Sequence, residues 1–144
     1  MKLEDIYEHW QEDSKIDRTE LGEESLKIPQ LHYKYFKMYS TERLMLKKYE
    51  ADMKQLKLSK YEFYTQGPTK ESKDLGWDLP PIGKVLKSDA STYVDADKNV
   101  IELSLKISMQ QEKLDLLDSI IKSLNNRGYN IHSAIEWEKF KVGA

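Results

Sequence analysis

The stretch VIELSLKISMQQEKLDLLDSIIKSL (Val100–Leu124) decides the fold. Val100, Leu103, Ile107, Leu114, Leu117, Ile121 and Leu124 recur at spacings of three and four, interrupted only by Gln110. This is the period of a helix with one buried seam, and no alternation of the strand kind accompanies it. Ile101, Leu105, Met109, Leu116 and Ile120 make a second apolar set on the opposite side. A helix that is apolar on two sides must be covered twice. One neighbouring helix of a 144-residue chain covers one side. The other predicts a second subunit, and the Val100–Leu124 stripe is the candidate oligomerisation seam of a homo-oligomer.

The same period extends upstream. Ile28, Leu31, Tyr35, Met38, Met45, Tyr49, Leu56 and Phe63 fall on one stripe that fails only at Glu42, Asp52 and Ser59. The spacing predicts a long helix from about Pro29, a residue suited to a first helical turn, to Tyr64, with Gly67-Pro68 as its stop. A short helix is expected over Leu3 to Asp13. Asp95 or Asp97 should cap the Val100–Leu124 helix, and Asn126-Arg127-Gly128 should end it, glycine taking the left-handed position. A last short helix is expected over Ile131 to Phe140. Residues 67–94 hold three of the four prolines and three of the six glycines. They read as an irregular connector with a short helix around Lys84 to Lys87, tacked down by Trp77, Leu79, Ile82, Val85 and Leu86. The chain is therefore expected to be all-α, with long helices whose coiled-coil-like seams assemble into a homo-oligomer, a homo-oligomeric ring being the arrangement in which weak faces would add up through avidity. Residues 1–66 form an N-terminal helical region, 67–94 the connector and 95–144 the oligomerisation helices.

Composition narrows the chemistry. There is no cysteine, hence no disulfide, thiol nucleophile or cysteine metal site. The acidic start MKLEDIYEHWQED lacks the apolar run of a signal peptide, and no stretch of 18 apolar residues predicts a membrane span. Gly67 begins GPTKES, which lacks the second glycine of a phosphate-binding loop. Asp95, Asp97 and Asn99 resemble the opening of a calcium loop, but Val100 and Lys106 stand where glycine and glutamate are needed, so helix capping is the better account. His9, His32 and His132 are scattered, and paired carboxylates such as Glu23-Glu24 have no pocket partner. These absences argue against an enzyme, a metal and a cofactor.

Charge is unevenly distributed. Residues 1–27 carry 4 basic and 9 acidic groups, whereas residues 31–64 carry 8 basic and 4 acidic. Lys57, Lys60, Tyr61 and Tyr64 lie at i, i+3, i+4 and i+7, and share one helical face that Lys54 extends upstream. Lysine neutralises phosphate and an exposed ring stacks on any base, so this pattern suits sequence-independent binding of a single strand. On the alternative reading the tyrosines only widen the apolar seam and the lysines are solvated, leaving a structural coiled-coil adaptor.

Five stretches then carry a resemblance: IDRTELGEESLKIPQLHYKYFK (Ile16–Lys37), LKLSKYEFYTQG (Leu56–Gly67), LGWDLPPIGKVLKSD (Leu75–Asp89), YVDADKNV (Tyr93–Val100) and NRGYNIHSAIEWEKF (Asn126–Phe140). In these, and in their order, the chain resembles the UvsY family, recombination mediators of T-even-type bacteriophages, its marine-phage members in particular. The resemblance implies a helical, non-enzymatic hexamer or heptamer in the cytoplasm of the infected host cell. Its implied partners are single-stranded DNA, the phage single-strand-binding protein and the phage recombinase, which it would load onto coated strands in recombination and repair. In that family a basic pair spaced K-x-R is tied to DNA binding. Here the stretch reads Lys57-Leu58-Ser59-Lys60, one residue wider and without the arginine, and Lys57 and Lys60 take the role by resemblance. The family's assembly role for the C-terminal region agrees with the two-sided helix.

Overall fold

A computed structural model describes residues 1–143. The described residues form helices joined by turns: α1 (Leu3–Asp13), α2 (Leu21–Gln66), α3 (Lys70–Asp74), α4 (Ala90–Asp95) and α5 (Lys98–Lys141). No strand occurs among them, so the all-α expectation holds. The packing divides into two units, one of Met1–Leu44 with the chain from Gln110 onward, the other Met45–Met109. These units are drawn along lines other than the three sequence regions.

In the first unit Ile6 of α1, Tyr35 of α2, and Leu117, Ile120 and Leu124 of α5 form the buried centre, with Trp10, Leu31, Met38, Tyr39, Leu116 and Ile121 packed against it. The period of three and four in α2 and α5 produces this directly, because each seam residue lands on the face turned to its neighbour. The polar interruptions of the two seams meet each other. The Gln110 side-chain amide donates to the Glu42 carboxylate at 2.6 Å and to the Glu42 carbonyl at 2.7 Å. Lys113 lies 3.7 Å from the same carboxylate. A paired polar layer inside an apolar seam fixes which turns of α2 and α5 face each other, since a slip would leave both groups buried and unpaired.

Two helix ends lie elsewhere than expected. Helix α2 begins at Leu21, eight residues before Pro29. The early turns are held from outside: Glu24 is buried, 3.0 Å from Lys27 and 3.3 Å from Arg127. Helix α5 runs through Asn126-Arg127-Gly128 to Lys141, so the expected separate helix over 131–140 is its continuation. Arg127 occupies a seam position, donating to the carbonyls of Asp13 (2.6 Å) and Lys15 (3.0 Å), and Ile131 is buried one turn on. A glycine inside a helix costs only about 1 kcal/mol, which these contacts outweigh.

In the second unit Phe63, Tyr64, Val85, Ala90, Val94 and Val100 form the centre, with Met53, Leu56, Trp77, Leu79 and Tyr93 around it. The connector is more ordered than expected. Thr69 caps α3 through a side chain that accepts from the Ser72 amide at 3.1 Å. Gly67 leaves α2 at φ 98°, a left-handed conformation that favours glycine. Val85 N–H then donates to the Tyr64 carbonyl at 2.9 Å, satisfying one of the free carbonyls at the end of α2. The short helix expected at Lys84–Lys87 does not form; the helix there is α4, further on. Trp77, Leu79 and Val85 do tack the connector down, while Ile82 and Leu86 are exposed.

Much of the stripe assigned to oligomerisation is covered by the chain's own helices. Val100, Leu114, Leu117 and Leu124 are buried by the chain itself, and Leu103, Ile107 and Ile121 are half-buried. Of the opposite set, Ile120 is buried and Leu116 half-buried, but Ile101, Leu105 and Met109 remain exposed. Two apolar faces were legible in α5. Which face the chain's own helices cover is a tertiary outcome that the period cannot supply.

Candidate nucleic-acid interface

The basic–aromatic face lies in the last four turns of α2, within the second unit, and the structure splits it. Lys54, Lys57 and Tyr61 are exposed. Lys60 and Tyr64 turn inward, with Lys60 only 2% exposed. The Lys60 ammonium has three donors and meets three acceptors. Asn99 Oδ1 lies at 2.8 Å, Asp97 Oδ2 at 3.1 Å, and the centre of the Trp77 ring at 3.7 Å. The Tyr64 hydroxyl donates to Asp97 at 2.6 Å. Assigning Lys60 and Tyr64 to DNA contact is therefore corrected: a cation with every donor satisfied inside the core does not reach a phosphate.

Asp97 organises this cluster. Its Oδ1 caps α5, accepting from the amides of Asn99 (2.8 Å) and Val100 (3.2 Å), as the sequence anticipated for Asp95 or Asp97. Burial pushes its carboxyl up, but hydrogen bonds from Tyr64, Lys60 and the Val100 amide together hold it below the ordinary 3.8. The Tyr64 hydroxyl is raised well above the usual phenol range, first by burial and then by its bond to Asp97. The cluster thus keeps Asp97 anionic, Lys60 near it and Tyr64 neutral, the charge states that hold α2, the connector and α5 together in this unit.

The exposed remainder is narrower and shifted. Lys54, Lys57 and Tyr61 share a face with Leu58, which is 59% exposed. Lys47 sits two turns before Lys54, exposed and on the same side. Sequence reasoning missed Lys47 and Leu58, although the i, i+7, i+11 relation of Lys47, Lys54 and Leu58 was there to be read. Lys57 lies 3.6 Å from Asp95, a half-exposed pair of the kind worth little in water. A K-x-R pair would place its second cation at position 59, which here is exposed Ser59. No group of three or more His, Cys, Asp or Glu among the described residues is arranged to hold a metal ion. No helix among them is long and apolar enough to cross a membrane.

A family model described as "Recombination, repair and ssDNA binding protein UvsY" matches residues 9–144. The chain belongs to the UvsY family. It is similar to "Recombination protein uvsY" of Enterobacteria phage T4, 24% identical over 144 residues that cover 99% of each chain. Two crystal structures of the bacteriophage T4 recombination mediator protein UvsY share its fold. The first aligns with a TM-score of 0.83 at 22% identity, over 99% of this chain and 98% of that one. The second has a TM-score of 0.81 at 21% identity, over 95% and 98%. The long helices thus match those of the UvsY structures.

Proposed function

We propose that this chain is a recombination mediator. It binds single-stranded DNA as a homo-oligomeric ring and promotes loading of the phage recombinase onto strands coated by single-strand-binding protein. The observation that carries this is membership of a family described by recombination, repair and single-strand binding, over nearly the whole chain. The exposed Lys47, Lys54, Lys57, Leu58 and Tyr61 face supports it, since cations beside an exposed ring are what a stacked, charged polymer needs. One such face binds weakly. Several copies around a ring raise the effective concentration of the next contact, so the strand is held by avidity. A strand bent or extended along the ring would be gripped less well by its coating protein and would favour nucleation of a recombinase filament. No catalytic step is assigned to the protein, and its place of action is the host cytoplasm, where the phage DNA lies.

The test is titration of the full chain with unlabelled single-stranded oligonucleotides at several salt concentrations. Binding without marked sequence preference, with log affinity falling as log salt rises, is expected. Absence of binding even at low salt would leave the adaptor reading instead.

A further inference from the structure

A second ring-and-cation surface lies on α2 in the first unit, apart from the basic–aromatic face of the second unit. His32 and Phe36 stack with centroids 5.9 Å apart and planes 12° from parallel. Phe36 and Tyr39 continue the stack at 6.4 Å and 29°. The Arg43 guanidinium caps it, 5.5 Å from the Tyr39 centroid. Phe36 is exposed and Tyr33 beside it is 68% exposed, whereas His32 and Tyr39 are half-buried and Tyr39 packs against the core of the unit. Lys37 and Arg43 are exposed and have no ion-pair partner among the described residues. Nearby Lys34, by contrast, is engaged by Asp13 at 2.6 Å, and Glu42 is buried against Gln110. The face therefore joins exposed aromatic rings to two cations, and Glu42, the acid next to Arg43 in the chain, is withdrawn into the seam.

We propose that the exposed part of this face, Tyr33 and Phe36 with Lys37 and Arg43, is a base-stacking platform for single-stranded DNA. Helix stability alone does not require it, because aromatic pairs at i, i+3 or i+4 contribute only about 0.2–0.5 kcal/mol and do so equally when covered. The stack fixes the Phe36 side chain in place, and the exposed Tyr33 and Phe36 rings leave aromatic surface beside the Lys37 and Arg43 cations. The unpaired cations supply the phosphate contacts that hold the strand against it. The proposal rests on the single-strand reading above and goes beyond it by naming where bases, as distinct from phosphates, are held.

The experiment compares oligo(dT) with an abasic strand of equal length, using the full chain and fluorescence anisotropy. The intact protein should bind oligo(dT) more tightly than the abasic strand. Phe36→Ala should weaken oligo(dT) binding by roughly five- to hundredfold, the range for loss of one stacked base. It should leave abasic binding unchanged. Arg43→Gln should reduce the salt slope on both strands by about 1. Since Phe36 is at the surface, unchanged circular dichroism is expected of that variant. Equal oligo(dT) affinity of Phe36→Ala and the intact protein overturns the platform alone and leaves these rings to a protein partner. An equal loss on both strands overturns it too, because stacking would not be the cause. Failure of the intact protein to bind either strand overturns the single-strand reading and the platform together.

Discussion

Lys57 and Lys60 are three residues apart on one helix, yet their side chains do opposite things. The difference is a matter of which partners the connector and α5 bring up: Asp95 sits loosely by Lys57, while Asp97, Asn99 and Trp77 enclose Lys60. Lys57→Ala should reduce the salt slope of DNA binding by about 1 and leave the urea midpoint unchanged. Lys60→Ala should destabilise by about 3–5 kcal/mol, because it leaves Asp97 buried without its cation. Equal stability of the two variants in urea would contradict this. Asp97 has a folded-state pKa below its ordinary value, so its contribution is fully present above about pH 4 and is lost as pH falls through the folded value. Asp13 has the same sign, through Lys34 and Tyr35, although burial opposes them. Asp97→Asn should therefore be less stable at pH 7 but lose less of its remaining stability on acidification, with a residual slope left by Asp13. Tyr64, raised by burial and by Asp97, acts at the other end: its contribution is complete below pH 10 and is lost above it. The residue types of this cluster were visible in the sequence, which offered Asp95 or Asp97 as the cap, and the structure selects Asp97. That the same carboxylate also receives Lys60 and Tyr64, 37 and 33 positions earlier, was not visible, because nothing local fixes a contact at that separation.

At the scale of the element, propensity and position compete. Gly128 lies inside α5, and its missing Cβ would meet nothing within 4 Å. Gly128→Ala should therefore stabilise by about 0.5–1 kcal/mol, by helix propensity and reduced freedom of the unfolded chain. Thermal unfolding would show it, and a lower midpoint would mean that the helix breaks there in solution. The period of three and four located both long helices because amphipathicity is a local property. It failed at their ends, since a glycine or a proline is only a weak local vote. Buried Arg127 overrules Gly128, and anchored Glu24 carries α2 on the N-terminal side of Pro29.

For the whole molecule, the division of α5 into a covered and an uncovered side bears on assembly. Leu117 is fully buried, so Leu117→Asp places a charge in the chain's own core and should abolish the cooperative fold by circular dichroism, not merely dissociate an oligomer. Leu105 is 66% exposed. If copies meet on the side of Ile101, Leu105 and Met109, Leu105→Asp should lower the mass measured by light scattering while helicity stays intact. An unchanged mass would place the subunit contact elsewhere on the surface.

The sequence by itself determined the helical class, the two long seams and the family, because each of these is written in spacing, composition or colinear motifs. The tertiary structure decided which residues of an amphipathic face are contacts and which are core. A helix offers its flank residues to both, and only the arrival of a neighbour with matching charge and shape assigns them. That is why Lys60 and Tyr64 fell to the interior, why the Val100–Leu124 stripe was covered by the chain itself, and why Lys54, Lys57 and Tyr61 were left facing water.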